Sequence, residues 1–223
     1  MGIVDYDERV VPSHGDATGP AVLLVNEAPG PSEALSGIPS FGQQGANIFL
    51  ALRAAGISWA AAHQKFIWPT NGEAGGSTPH GQKGAFLADR AKYITCTNAF
   101  ARWPRPSDKP MSFCAPLDTD VKAAGNVARL KSEVVPTHRA VLVCGRSAYL
   151  ACVGAVLPHP ATRELTELTT EELEAVNKRL GANFLKGWYM GHTRRWSLHG
   201  PKTPRTLKEV ASLVGWKLVP NAG

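Results

Sequence analysis

The stretch that decides the fold reads VLLVNEAPGPSEALSGIPSFGQQG and spans Val22–Gly45. Its apolar opening ends in a polar turn, Asn26–Gly30, which contains a carboxylate and a Pro-Gly pair. Short apolar runs of this kind are typical of strands buried on both faces of a parallel sheet. In α/β proteins such strands carry functional polar residues at their carboxyl ends. The stretch therefore predicts an α/β fold with a candidate site at the end of its first strand, Ala21–Val25.

Three further apolar runs have the same form as the first. They are Tyr93–Thr97, followed by Asn98; Ala140–Cys144, followed by Gly145; and Trp188–Met190, followed by Gly191 and His192. Helical patterns lie between and after these runs. They are Asn47–Ala55, Ser147–Val156, a run to Leu180 that is opened by a threonine cap at Thr169 or Thr170, and a run from a cap at Thr203 through Val214. This alternation predicts a single doubly wound α/β domain over residues 1–223, with a mainly parallel four-stranded sheet flanked by helices.

Two segments depart from the alternation of strands and helices. Trp68–Gly84 is dense in glycine and is predicted to be a long surface loop. Pro158–Leu168 is the second excursion from the sheet. Neither segment divides the chain into separate domains.

Composition limits the classes of protein to which the chain can belong. No run approaches the ~20 apolar residues that a membrane-spanning helix needs, and Met1–Thr18 is charged and polar, unlike a signal peptide. The four cysteines form no C-x-x-C pair, and two lie in apolar runs, which favours buried free thiols in a reducing compartment. We expect a cytoplasmic protein without a membrane partner.

The charge of the chain favours an anionic partner. The formal net charge is +6, and basic residues cluster in two segments that each contain a tryptophan. One predicted loop, rich in proline, holds Arg102, Arg105 and Lys109 with Trp103; another holds Arg194, Arg195, Lys202 and Arg205 with Trp196. Cations beside aromatic rings suit phosphate contacts and base stacking. The alternative is two solvated loops whose tryptophans are packing anchors.

Four polar residues stand at the predicted strand ends: Asn26, Glu27, Asn98 and His192. Taken singly, each residue type is more often structural, as a turn residue, a helix cap or a surface histidine. Because the carboxyl ends of parallel strands meet at one edge of a sheet, we expect these four side chains to converge. Their amide, carboxylate and imidazole groups suit a pocket that holds a flat polar ring and activates water.

The motifs that contain these residues resemble those of the uracil-DNA glycosylase superfamily, in particular its bacterial family 4 and family 5 branches. EAPG at Glu27–Gly30, with Glu33, GIP at Gly37–Pro39, Gly42 and Gly45, resembles the first motif without a gap. ITCTNA at Ile94–Ala99 and VLVCGRSA at Val141–Ala148 resemble two further segments, and His192 matches the histidine of the last motif. The resemblance implies that a nucleotide is flipped out of the DNA into a pocket.

The resemblance also implies a role for each matching residue. Asn98 would read O4 and N3 of the pyrimidine, and His192 would donate towards O2 and stabilise the departing uracil anion. Glu27, with the adjoining backbone amides, would position or activate the attacking water. These three residues are the predicted catalytic set. The predicted substrate-binding set is Asn26, Ala28, Glu33, Ser40, Phe41 and Asn98.

Several residues depart from the family pattern. Ser40 stands where the family has its stacking phenylalanine, so either Phe41 stacks on the base or the pocket is more open. Asn26 replaces a glycine. Thr193 and Arg194 replace the Pro-Ser pair that follows the histidine, and they become candidate phosphate contacts. The remaining DNA-contact candidates are Arg102 and Arg105 for phosphates, and Arg195, Trp196 and Leu198 as the wedge that fills the vacated stack.

The resemblance also bears on cofactors, because members of these branches hold an iron–sulfur cluster on four cysteines. This chain has no cysteine before Cys96, and Arg102 stands where one ligand belongs. We therefore predict no cluster, no metal and no other cofactor.

The sequence thus predicts a monomeric, monofunctional DNA glycosylase that removes uracil from DNA and leaves an abasic site. The alternatives are a glycosylase for hypoxanthine, xanthine or mismatched thymine, a non-catalytic protein that binds DNA or abasic sites, and a hydrolase of nucleotides or other small molecules.

Overall fold

A computed structural model describes residues 4–16, 18–63, 80–106, 114–158, 165–193, 196 and 201–220, without the side chains of residues 80–83 and 106. The strands are β1 (Val4–Val10), β2 (Val22–Asn26), β3 (Ile94–Asn98), β4 (Arg102–Pro106), β5 (Ala140–Val143), β6 (Thr166–Glu167) and β7 (Lys186–Tyr189). The helices are α1 (Pro31–Ser36), α2 (Gln43–Ala54), α3 (Ser58–Ala61), α4 (His80–Tyr93), α5 (Asp118–Lys122), α6 (Ala124–Ser132), α7 (Arg146–Val153), α8 (Thr170–Leu180) and α9 (Lys202–Val214).

The main sheet has five strands in the order β3-β2-β5-β7-β6. The first four are parallel, and β6 pairs antiparallel with β7 at the edge. The predicted α/β class and the helix-flanked, mainly parallel sheet are confirmed, and the arrangement is compatible with a doubly wound fold. The predicted number of four strands is wrong. β6 has two exposed residues, so it carries no apolar signal.

Side chains alternate between the two faces of the sheet, and each face has its own core. Val22, Leu24 and Leu142 pack on one face against α2, α4 and α9. Leu23 and Val143 pack on the other against α6, α7 and α8. Because successive residues of a strand point to opposite faces, this double burial explains why the strands read as unbroken apolar runs.

Strand β2 lies at the point where the order of the parallel strands reverses. The chain passes from β2 to β3 on one side and then to β5 on the other. Open α/β sheets form a crevice beyond the carboxyl ends of the strands at such a point. The turn that follows β2, beginning at Asn26, is therefore placed where this fold class binds ligands.

One of the two helix caps predicted from the sequence is present in the structure. The threonine cap predicted for α8 is confirmed, and the capping residue is Thr169, which accepts a hydrogen bond from the Glu172 N–H at 3.2 Å. The cap predicted at Thr203 is wrong, because α9 begins at Lys202 and the Thr203 hydroxyl donates to the Trp196 carbonyl. The loop predicted over Trp68–Gly84 is also wrong at its end, where α4 has begun; residues 68–79 lie outside the described residues.

The cysteines are free thiols, three of them buried: Cys96, Cys144 and Cys152. Burial raises the pKa of the Cys152 thiol to about 12. Across the described residues, no helix combines the length and the apolar character needed to cross a membrane.

A buried histidine, His138, joins β3 to the turn that precedes β5. Its Nδ1 accepts a hydrogen bond from the Val135 N–H at 3.1 Å, so the proton of the neutral ring lies on Nε2, 2.8 Å from Thr95 Oγ1. Burial lowers the pKa of His138 from its ordinary 6.5 to about 4. Protonation would also break the bond to Val135, since Nδ1 would then be a donor.

The low pKa of His138 makes stability depend on pH. The unfolded chain binds the proton more readily than the folded chain. Neutral His138 therefore contributes up to about 3 kcal/mol to the free energy of unfolding above pH ~6.5, and this contribution is lost as the pH falls towards ~4. Urea unfolding at pH 7 and pH 4 should give a smaller pH difference for His138→Gln than for the wild type. Burial also lowers the pKa of His14. His14 therefore also reduces stability at low pH, and it does so in the wild type and in the variant alike. An unchanged pH difference in the variant would contradict this prediction.

Candidate functional site

Two asparagines lie side by side at the end of the sheet. Asn26 and Asn98 are paired in register on β2 and β3, so they point to the same face. Asn98 is 0% exposed, and neither Nδ2 nor Oδ1 meets a hydrogen-bond partner among the described residues. Asn26 donates from Nδ2 to Ser40 Oγ at 2.8 Å, and its buried Oδ1 is unpartnered within the same set of residues. Buried amides in this state are costly and mark a place where a ligand can supply the missing bonds.

Glu27 follows Asn26 in the chain, and its carboxylate faces two partners. Its Oε1 accepts a hydrogen bond from the Ser147 N–H in the first turn of α7 at 3.0 Å. Its Oε2 lies 3.5 Å from His192 Nε2, beyond the end of β7. A carboxylate at a helix N-terminus is stabilised by the unpaired N–H groups and the helix dipole. The structure thus brings Glu27 and His192 together across the crevice.

Gly145 allows this close approach of Glu27 to α7. Its φ is +99°, and a Cβ added there would lie 2.6 Å from Glu27 Cδ. Both the backbone conformation and the missing side chain are therefore required for Glu27 to reach the Ser147 N–H.

The segment after His192 is held in the interior by α2. Asn47 donates from Nδ2 to the Thr193 carbonyl at 3.0 Å, and Thr193 is buried. The Trp196 ring is 2% exposed and donates from Nε1 to the Met190 carbonyl at 3.1 Å. The burial of both side chains argues against the predicted phosphate contact by Thr193 and the wedge role of Trp196, and it favours Trp196 as a packing anchor. Arg194, Arg195 and Leu198 lie outside the described residues.

The loop between α1 and α2 turns Ser40 inward and Phe41 towards the core. Ser40 is fully buried beneath Asn26, while Phe41 is half-buried against the core on this face. The Glu33 carboxylate accepts hydrogen bonds from the N–H groups of Gly30, at 2.7 Å, and of Ser40. Glu33 therefore shapes this loop, and its predicted substrate-binding role is not supported by its contacts. Ala28 is fully buried in the turn after β2.

Arg102 and Arg105 lie on a strand and not in the predicted loop. They belong to β4, which pairs antiparallel with β1. The Arg102 side chain is exposed. Arg105 lies 3.8 Å from the Asp7 carboxylate and stacks over Trp103, a buried packing anchor. Hydrogen bonds from Arg9 lower the pKa of Asp7 to about 2, so the carboxylate stays charged beside Arg105.

The residues present do not fit an iron–sulfur cluster. Cys96 and Cys144 pack on one face of the sheet and Cys152 on the other, so the cysteines do not converge on one point as a four-thiolate site requires. Within the described ranges, no three His, Cys, Asp or Glu side chains are grouped so that they could hold a metal ion.

Three residues of the site had only weak signals in the sequence. Ser147 and Asn47 act on Glu27 and Thr193 through bonds between distant segments. Arg90, on α4, donates to the carbonyls of Pro39 and Ser40. The available signal was a single arginine in an otherwise apolar stripe of α4.

The strand ends thus carry two adjacent amides on β2 and β3 and a carboxylate that lies near an imidazole. Amides recognise the edge of a flat polar ring, and a carboxylate with an imidazole can position water and donate a hydrogen bond to a departing anion. No protein-family model and no curated protein matches the sequence.

Proposed function

We propose that the chain is a monofunctional DNA glycosylase that hydrolyses the N-glycosidic bond of uracil in DNA. The observation that carries the proposal is the buried amide of Asn98, whose donor and acceptor are unpartnered among the described residues, at the same edge of the sheet as the Glu27–His192 pair. The motif resemblance to the uracil-DNA glycosylase superfamily supports the same reaction. A monomeric state, a cytoplasmic location and the absence of a cofactor belong to the proposal.

The amide of Asn98 suits the edge of uracil. Its Nδ2 can donate to O4, and its Oδ1 can accept from the N3–H, which satisfies both buried atoms at once. The glycosidic bond cannot be reached inside the stacked duplex, so the nucleotide must be flipped into the crevice. The site therefore reads the base only after it has left the helix.

Glu27 and His192 suit the charges that develop in the reaction. As the bond breaks, negative charge builds on the uracil ring and positive charge on the sugar. An imidazole N–H directed at O2 stabilises the anion, and a carboxylate stabilises the sugar cation and orients the attacking water. The bond from the Ser147 N–H fixes the carboxylate in place, so that little reorganisation is needed during the reaction.

The positive charge of the chain supports DNA as the partner. A net charge of +6 favours contact with phosphates, and the exposed Arg102 remains a candidate phosphate contact. Arg194 and Arg195, which follow the buried Thr193 in the chain, remain candidates on the sequence alone.

The proposal is tested with a uracil-containing duplex, followed by alkaline cleavage of abasic sites. We expect the wild type to release uracil and to produce strand breaks after alkali. Glu27→Gln should slow release because the neutral amide stabilises the sugar cation poorly, and His192→Ala should slow it because the donor at O2 is lost. The matched control is Glu174→Gln, which alters an exposed acid on α8 and should leave the rate unchanged. Intact strands with the wild type would refute the proposal.

A second candidate keeps the reaction and changes the base. Asn26 and Ser40 form a polar contact where the family has a glycine and an aromatic residue, which favours a different base such as hypoxanthine, xanthine or mismatched thymine. Oligonucleotides containing each base distinguish these substrates in the same assay. Salt-sensitive DNA binding without release of any base would instead indicate a non-catalytic binding protein.

A further inference from the structure

Ser40 has a backbone conformation that serine rarely adopts. Its φ is +56°, and no other non-glycine residue in the described part of the chain has a positive φ. This left-handed conformation is unfavourable for residues with a Cβ and persists only where the surroundings impose it. Such strain is concentrated at functional sites.

Two buried charged side chains hold the backbone of Ser40 from opposite sides. The Glu33 carboxylate accepts the Ser40 N–H through Oε1. The Arg90 guanidinium donates to the Ser40 carbonyl at 3.1 Å and to the Pro39 carbonyl at 2.9 Å. Both side chains are buried, Arg90 completely. Both polar groups of the Ser40 backbone are thus bound by charged partners, which form strong hydrogen bonds.

The side chain of Ser40 transmits this arrangement to Asn26. The Ser40 hydroxyl oxygen accepts a hydrogen bond from Asn26 Nδ2 at 2.8 Å. Asn26 then presents its Oδ1, not its Nδ2, beside Asn98.

We propose that Arg90 and Glu33 are positioning residues that hold Ser40 in the left-handed conformation, so that Asn26 Oδ1 is fixed as an acceptor that shares the N3–H of the flipped uracil with Asn98 Oδ1. The inference rests on the proposed function and assigns the site a second base-reading amide. It also gives a reason for the burial of Arg90. A buried guanidinium is costly, and apolar residues of similar volume are often at least as stabilising, so stability alone does not account for an arginine at this position.

The test measures Arg90→Lys in two backgrounds, the wild type and Ser40→Gly. Lysine keeps the charge but cannot reproduce the planar fork that binds two carbonyls. In the wild-type background we expect kcat/KM on uracil-containing DNA to fall about tenfold, because the strained conformation is no longer imposed. In the Ser40→Gly background the fall should be less than about threefold, because glycine adopts a positive φ without strain. Ser40→Gly alone measures the loss of the hydroxyl.

A second measurement follows the loop without requiring activity. The backbone amide at position 40 should exchange about tenfold faster in Arg90→Lys than in the wild type. The acceleration caused by Arg90→Lys should be smaller in the Ser40→Gly background. The control is Arg179→Lys, which alters an arginine that donates to the Ala151 carbonyl on the other face of the sheet. This control should leave both kcat/KM and exchange at position 40 unchanged.

Each outcome separates the inference from the proposed function. Equal losses in the two backgrounds, with an active wild type, would overturn the positioning role and leave the glycosylase proposal intact. A wild type that releases no base would overturn the proposed function and the base-reading role of Asn26 together. The exchange measurements would then decide whether Arg90 holds the loop.

Discussion

Asn98→Leu is expected to abolish uracil release without loss of stability. The two amide atoms are buried and have no partners among the described residues, so their removal relieves a desolvation cost of about 1–3 kcal/mol, while leucine fills nearly the same volume. The rate should fall on the order of 10³-fold, because the variant can neither donate to O4 nor accept from N3–H. Single-turnover rates and urea unfolding measure the two effects.

A matched control for Asn98 lies one residue earlier on the same strand. Thr97 points to the opposite face of the sheet and donates to Glu133 Oε2 at 2.6 Å. Thr97→Val should cost about 1 kcal/mol of stability, because that hydrogen bond is lost, and should leave the rate unchanged. If Asn98→Leu were as destabilising as Thr97→Val and kept its activity, Asn98 would be a structural residue.

Gly145→Ala is expected to displace Glu27 and slow base release about 100-fold. The new Cβ would lie 2.6 Å from Glu27 Cδ, so the carboxylate must leave the Ser147 N–H, and its position relative to His192 changes with it. The positive φ adds a backbone penalty of about 1–3 kcal/mol. Rates and unfolding free energies measured on the same preparations separate the two effects.

The control for Gly145 is the glycine at the other end of α7. Gly154 has a φ of +85°, and a Cβ there would meet only the flexible Arg179 side chain, at 3.3 Å. Gly154→Ala should carry a similar backbone penalty and keep full activity. Equal rates in the two variants would show that the contact between Gly145 and Glu27 does not matter for the reaction.

The arrangement at the strand ends could be predicted because it depends on local pattern and on one general rule. Apolar runs located the parallel strands, and polar residues at their ends must meet at one edge of a parallel sheet. The structure brings Asn26 next to Asn98 and Glu27 next to His192 in this way. Their chemical roles remain predictions.

Other features could not be predicted because tertiary contacts override local signals. Glycines at positions 81 and 84 favour a loop, yet α4 forms and packs Phe86 and Leu87 into the core, and Arg90 was missed with it. The prolines of β4 argue against a strand, but β4 has a single partner, β1, and needs few of its own N–H groups. The burial of Thr193 depends on a contact with Asn47 of α2, which is distant in sequence.

The parallel order of β3, β2, β5 and β7 has a consequence for how the protein becomes functional. Parallel strands cannot be joined by tight hairpins, so each neighbouring pair must close a long segment of chain before it gains any contact. Glu27 follows the first of these strands and His192 follows the last. The chain therefore lacks the Glu27–His192 pair until β7 has docked on β5, and partly folded intermediates would lack the proposed catalytic pair.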